Sequence, residues 1–331
     1  MKTRVLTVDP EHPAPDALAE AARILRAGGL VAFPTETVYG LGANALDADA
    51  LARIYEAKQR PANDPIIAHI ARVEQLDQLA RDIPPAARAL ADAFWPGPMT
   101  LILHRRPDCP IARLTSAGLD RIALRVPAHE GARQLLQHFA GPVAAPSANP
   151  SGRISPSTAK HVLDGLDGRL DLVLDGGSCE SGLESTIIDC TGEIARLLRP
   201  GGITREAVAA ALATANCNPQ IDIAEPLADH ENPVAPGQLT SHYAPKAAVR
   251  LMAITSTADE ELIGFGAVSG AGELALNLSP SADLVEAAAN LFSILHAVDA
   301  ADIAKIAIAP IPDTGLGEAI NDRLRRAAAP R

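Results

Sequence analysis

The hydrophobic pattern changes period several times along the chain, and each change predicts a different element. In residues 16–27, Leu18, Ala21, Ala22 and Leu25 recur at i, i+3, i+4 and i+7. That spacing lays one apolar stripe along a helix. Asp16 reads as its N-cap and Gly28-Gly29 as its stop. The run 30–33 is continuously apolar and closes on Pro34, which predicts a buried strand. A second helix is expected over 48–57. Further strands are expected over 66–70, 99–103, 122–126, 143–145 and 171–174, with helical stretches between several of them. Some of these strands are too close in sequence for a purely parallel sheet. The predicted fold class is α/β, a twisted mixed sheet with helices.

After Thr204 the pattern changes character. A helix over 205–213 is followed by residues 216–245, rich in Pro, Asn and Asp and without periodicity. A loop of that length is unusual inside a compact domain, so it reads as a linker. Periodicity then resumes, with strands expected over 248–253, 261–265 and 303–309 and helices over 282–298 and 317–328. The expected division is a first domain over 1–212, a linker over 213–245, and a small Rossmann-like α/β domain over 246–331. No internal repeat is visible.

Composition narrows the classes. With 47% hydrophobic and 21% charged residues, the chain can bury a core and is not disordered by composition. A net charge of −11 argues against a broad duplex-gripping face, so any RNA contact should be local or indirect. Cys109, Cys179, Cys190 and Cys217 form no C-x-x-C pair, and free thiols are expected. The histidines show no metal-ligand spacing, so no metal held by protein ligands is expected. The first residues lack a signal-peptide core, and no apolar run approaches the ~20 residues of a membrane span. A soluble, cytoplasmic protein is expected.

Several clusters carry candidate chemistry. Lys58-Gln59-Arg60-Pro61 sets a point charge and a forked donor one residue apart, a pair suited to polyphosphate. Pro146-Ser147-Ala148-Asn149-Pro150 follows an apolar strand, where open α/β sheets bind ligands. Ser155 reads as a helix N-cap with Pro156 at the first helical position. Residues 33–42 place Thr35, Thr37, Gly40 and Gly42 around a strand exit, and the glycines would let backbone approach a ligand. Gly182-Leu183-Glu184-Ser185-Thr186 leads into another apolar strand. Arg199-Pro200-Gly201-Gly202 precedes a helix capped by Thr204. There is no P-loop, no complete G-x-G-x-x-G and no G-x-S-x-G elbow.

Taken in order, these stretches resemble threonylcarbamoyl-AMP synthases of the long form, a YrdC-like domain followed by a C-terminal domain. The resemblance extends to Trp95-Pro96-Gly97-Pro98, to Arg125-Val126-Pro127, to the linker residues Ser241-His242-Tyr243-Ala244-Pro245, and to a tail running from Gly317 through Glu318, Asn321 and Asp322 to Arg323. It implies a nucleotidyltransferase that joins L-threonine, bicarbonate or CO2, and ATP into threonylcarbamoyl-adenylate and pyrophosphate. Mg²⁺ would arrive with the ATP. A partner transferase would then modify an adenosine beside the tRNA anticodon. The K-x-R and S-x-N signature falls on Lys58, Arg60, Ser147 and Asn149, the implied catalytic set. Nucleotide contacts are implied for Arg60, Asp64, Arg121, Ser147, Ser155, Arg199, His242 and Tyr243. Threonine contacts are implied for Thr37, His69, Arg125, Ala145 and Ser185, with Arg125 taking the carboxylate as a fork.

The chain departs from the pattern at Asp64, where relatives usually carry Asn. An anion there would repel a triphosphate unless Mg²⁺ or Arg60 compensates. The linker, with His242 and Tyr243, is expected to close over the nucleotide. Two other readings stay open at this level: an RNA-binding or ribosome-associated factor built on the same domain without catalysis, and an adenylating enzyme for another amino acid.

Overall fold

In the computed structural model, residues 2–224, 233–238 and 241–330 are described. Residues 4–223 build one large mixed sheet of twelve strands, and residues 248–308 a separate three-stranded parallel sheet. The large sheet explains the close strand spacing seen in the sequence. Val31–Phe33 turns back on Gly40–Asn44 as an antiparallel pair, while Ala68–His69 runs parallel to Arg121–Arg125. The edge strand Arg4–Thr7 and the strand Gly40–Asn44 had not been anticipated. Both lack the alternation or continuous bulky run that marks a strand.

Helix ends follow local chemistry. Ala48–Lys58 is capped by Asp47, whose carboxylate accepts from the backbone N–H groups of Asp49 and Ala50. It ends where Gln59 turns left-handed at φ +53°. The helix expected from Asp16 begins one residue earlier, at Pro15, with Ala14 at the cap position and no side-chain cap bond. Asp16 sits in its first turn instead, where a carboxylate favours the helix dipole. Ser155 is not a cap either. The next helix is Ala159–Leu166, and Thr158 caps it by accepting from His161 N–H at 3.2 Å.

The expected boundary at residue 212 cuts through the helix Arg205–Thr214. Beyond that helix, Ile221–Ile223 pairs in parallel with Ala195–Arg199, so the first part of the expected linker belongs to the large sheet. Part of that linker, residues 225–232, 239 and 240, lies outside the described residues.

Two apolar layers cover the large sheet, one on Leu51, Leu90, Leu101 and Leu124, the other on Leu18, Phe33, Leu135 and Leu172. A third cluster joins the two units. Val38, Ile154 and Leu183 of the first pack with Tyr243 of the linker and Phe292 and Leu295 of the second. The helix Leu284–Ala300 lies so close that a Cβ on Gly182 would come 2.4 Å from the Ala288 carbonyl. At this junction His161 and His296 stack with ring centroids 3.8 Å apart, and His296 also bonds the Ser155 carbonyl at 3.1 Å. No helix among the described residues is long and apolar enough to cross a membrane.

Candidate active site

Strand pairing places the first two polar residues. His69 and Arg125 are register partners at the ends of adjacent parallel strands. The Trp95–Pro98 turn supports Arg125, whose Nε donates to the Gly97 carbonyl at 3.2 Å. Thr37 arrives from the loop after Val31–Phe33, and its hydroxyl accepts from both Nη1 and Nη2 of Arg125 at 3.1 Å. Nη2 also donates to Glu36 at 2.6 Å. These bonds use four of the five guanidinium N–H groups. The expected fork on a carboxylate therefore has one N–H left, unless the Thr37 contact gives way. Burial, then the Arg125 charge, pulls the His69 pKa down to about 3, so its imidazole is neutral at pH 7. Its Nδ1 is buried without a hydrogen-bond partner.

The second wall comes from the end of the helix Ala48–Lys58 and from the loop after Val143–Ala144. The left-handed Gln59 sends the two cations to different partners. Lys58 Nζ donates to the carbonyls of Ser147, at 2.6 Å, and Asn149. Arg60 lies in the cavity wall, donating to the Asp64 carbonyl at 3.1 Å and the Pro65 carbonyl at 2.7 Å. The same loop is tied to the Thr37 loop, since Leu41 N–H bonds the Pro146 carbonyl and Ala148 N–H the Tyr39 carbonyl, both at 2.8 Å. Gly42 lies inside this packing, where a Cβ would meet Phe33 and Val143 within 3 Å, so its smallness serves the protein core rather than a ligand.

Arg199 and Ser185 form the third wall. Arg199 holds the Ser185 carbonyl through Nε at 3.1 Å and Nη2 at 3.0 Å, and reaches the linker carbonyl of Pro236 at 3.3 Å. A Cβ on Gly201 would lie 2.3 Å from the Glu184 carbonyl, so the Gly-rich turn is needed to bring these strands together. The linker closes the fourth side. Ala244 N–H bonds the Gly152 carbonyl at 2.9 Å, which seats His242 and Tyr243 against the opening. Tyr243 is in the left-handed region at φ +60° and its ring is buried.

The result is one cavity. Of the residues singled out from the sequence, it is lined by Thr37, Arg60, His69, Arg125, Ala145, Ser147, Ser185, Arg199, His242 and Tyr243. Its free space is only about 50 Å³, against the ~300–1,000 Å³ usual for small-molecule sites. Pro236, Gly237, His242 and Tyr243 of the linker form part of its lining.

Five expected contacts lie elsewhere. Lys58 and Asn149 stand behind the wall and shape the loop that carries Ser147. Ser155 acts at one remove, donating its hydroxyl to Glu184. Arg121 opens the strand that Arg125 closes, roughly 13 Å away at ~3.3 Å per residue. It pairs with Asp189 at 2.8 Å, beside His104 and Thr191. Asp64 is fully buried and lies 2.8 Å from Arg60 Nη2, yet the contact is misaligned and neither carboxylate oxygen gains a hydrogen bond. Burial raises its pKa, opposed by the charges of Arg60, Lys58 and Arg199.

Thr35 and Gly40, named in the sequence without a ligand role, also line the cavity, as do Glu184, Pro236 and Gly237, to which the sequence reading assigned nothing. Glu184 was visible inside a hydroxyl-rich cluster but had no assigned partner. That partner is Arg323, from the far end of the chain, at 2.8 Å.

Comparison with known proteins agrees with this architecture. A Sua5–YciO–YrdC family model, described as telomere recombination, matches residues 23–201. A second, described as the threonylcarbamoyl-AMP synthase C-terminal domain, matches residues 203–329. The threonylcarbamoyl-AMP synthase of Bacillus subtilis is 41% identical over 330 residues, spanning 95% of this chain and 93% of its own. That of Pyrococcus abyssi is 41% identical over 329 residues, with 94% of each chain covered. The crystal structure of P. abyssi Sua5 complexed with L-threonine superposes with a TM-score of 0.88 at 38% identity, covering 98% of both chains. The chain therefore belongs to the threonylcarbamoyl-AMP synthase family, in the form that carries the Sua5 C-terminal domain.

Proposed function

We propose that the protein condenses L-threonine, CO2 or bicarbonate, and ATP into threonylcarbamoyl-adenylate and pyrophosphate. The observation that carries this is a cavity lined by two chemically different sets of side chains. One set offers Arg125, Thr37, Ser185 and a neutral His69, suited to an amino acid. The other offers Arg60, Arg199 and Ser147, suited to phosphates. The threonine nitrogen forms a bond to the CO2 carbon and loses a proton. A carbamate oxygen then bonds the α-phosphorus as the bond to the bridging oxygen breaks, and pyrophosphate leaves. Both reactants are anions, so the chain's task is to neutralise charge and hold them in line. A neutral His69 can hydrogen-bond without adding charge. No protein nucleophile is required, and the enzyme class is nucleotidyltransferase.

Mg²⁺ fits as a companion of ATP. Among the described residues no three His, Cys, Asp or Glu side chains gather to hold a metal. Mg²⁺ commonly rides on phosphate oxygens, and it would reach this site on the ATP, since Glu184 is taken up by Ser155 and Arg323 and Asp64 does not line the cavity. Bound there, it would offset triphosphate charge. The linker covers the adenylate, a mixed anhydride that water would destroy. The product would pass to a transferase acting on tRNA in the cytoplasm, with any tRNA contact by this chain indirect.

The test is pyrophosphate release from ATP by purified protein. Release should require both threonine and bicarbonate, and a panel of other amino acids should give little. No release would favour an RNA- or ribosome-binding role without catalysis. Equal release with other amino acids would favour a different adenylated substrate.

A further inference from the structure

The tail motif at residues 317–323 has no role in the reaction as described, yet the structure spends it on one side chain. Gly317 allows the helix Leu316–Ala328 to start against the Pro312 carbonyl, which a Cβ would meet at 1.8 Å. Asn321 fixes that start by donating to the Ile311 carbonyl at 3.1 Å. Asp322 accepts from Arg323 Nη1 at 2.7 Å and from Arg326 Nε at 3.0 Å. Arg323 is thereby aimed out of its own domain. Its side chain has no solvent exposure, its Nε donates to Glu184 at 2.8 Å, and its guanidinium carbon lies 5.0 Å from the Tyr243 ring centroid.

Glu184 poses a problem for a site that takes a polyphosphate. It lines the cavity, is only 6% exposed, and brings a carboxylate to the wall. An unpaired carboxylate facing a triphosphate in a dry cavity repels it. Arg323 is the cation in contact with it, since Ser155 contributes only a neutral hydroxyl. The same guanidinium lies near the Tyr243 ring, an arrangement that also attracts it electrostatically. Arg326, one helical turn on, holds the Gln238 carbonyl at 3.1 Å, so the helix grips the linker at two places.

We propose that Arg323 is a positioning residue that the C-terminal domain supplies to the nucleotide end of the cavity: it cancels the charge of Glu184 and seats Tyr243, so that the cavity accepts ATP. The proposal rests on the ATP-using reading above. It gives the C-terminal domain a direct electrostatic share in nucleotide binding, though none of its side chains lines the cavity.

The test uses the full chain with Arg323→Met, alone and combined with Glu184→Gln. MgATP and L-threonine affinities are measured separately by calorimetry, and melting temperatures are recorded. In the double variant Asp322 keeps Arg326 as a partner. Arg323→Met should bind MgATP at least tenfold more weakly, with threonine affinity within threefold of the unaltered protein. The double variant should return MgATP affinity to within threefold, because the uncompensated charge is gone. A purely structural arginine would not be rescued by neutralising Glu184. Unchanged MgATP affinity in Arg323→Met, parallel loss of both ligands, or a double variant as weak as the single one overturns the proposal. If the single variant does not fold, the folded double variant decides: near-normal MgATP affinity supports the proposal and a tenfold loss overturns it. Failure of the ATP-using reading looks different, since the unaltered protein would then neither bind MgATP nor release pyrophosphate.

Discussion

The two ends of the cavity are built in opposite ways. The threonine end comes from one unit. Register-paired strands bring His69 and Arg125 together, and Glu36, Thr37 and Gly97 satisfy most of the guanidinium. Its orphan is one buried nitrogen, His69 Nδ1. The nucleotide end is assembled from a helix terminus, a strand, the linker and the C-terminal helix. There Asp64, His242, Tyr243 and Arg323 all keep buried polar atoms without hydrogen-bond partners. Buried polar groups left unpaired cost free energy, so they mark either a ligand's place or a packing that changes. The contrast argues that the amino-acid subsite is preformed. The proposed nucleotide subsite is instead lined by linker residues, and on the proposed reading they shift to admit ATP.

The sharpest way to break this contrast is at Arg125. Replacing it with Met should weaken threonine binding by at least about thirtyfold, in line with the ~2–5 kcal/mol lost when one member of a buried charged pair is truncated. MgATP affinity should stay within a few-fold. Titration calorimetry of each ligand checks this, and equal loss of both would mean that the two ends are not separate. Part of the loss reflects Glu36, left buried with only the N–H groups of Ala128 and His129.

A cut in the linker probes the other end. Cleavage at an engineered protease site within residues 233–245 should lower product yield about tenfold, the order of effect that misplacement of positioned groups can produce. Threonine affinity should fall far less, because Thr37, His69 and Arg125 take no hydrogen bond from the linker and Ser185 is tied to it only through Arg199 and the Pro236 carbonyl. Unchanged turnover after complete cleavage would remove the lid role. An equal fall in threonine affinity would show that the linker also supports the preformed end.

The same contrast governs what could be read from the sequence. The helices Pro15–Arg26, Ala48–Lys58 and Leu316–Ala328 declare themselves by periodicity and length, as do the continuous strands Met99–Arg105 and Arg121–Arg125. Thr37, His69, Arg125 and Ser185 come from the family resemblance rather than from local pattern, and the structure brings them together at or beside strand ends. The nucleotide end depends on pairings across the chain, and no local pattern encodes them. Glu184 and Arg323 are 139 residues apart. Arg121 is an implied nucleotide contact, on the same strand as Arg125. Four residues of extended chain carry it to the far end of that strand, where Asp189 takes it. Lys58 and Arg60 look equivalent as K-x-R, but the left-handed Gln59 between them sends one to the loop carbonyls and the other to the cavity.

The smallest expected effect belongs to Asp64. Its carboxylate is buried, accepts no hydrogen bond, and sits among Arg60, Lys58 and Arg199, all of which spend part of their field on it. Asp64→Asn removes that competition while keeping the volume, so MgATP should bind about three- to tenfold more tightly, on the order of 1 kcal/mol. The pH dependence tests the same point without ligand. The folded-state pKa of Asp64 is raised by burial above its ordinary value of 3.8. In the window between the two values the folded state binds more protons than the unfolded state, so this group lowers stability as pH rises through it. Below the ordinary value the penalty is absent, and above the raised value it is complete. Asp64→Asn should therefore gain more melting temperature over the unaltered protein at pH 7 than at pH 4, by a few degrees. An equal difference at both pH values would mean that the three cations hold Asp64 ionised at no cost. The orphaned carboxylate would then belong to the preformed part of the site rather than to the part that ATP must reorganise.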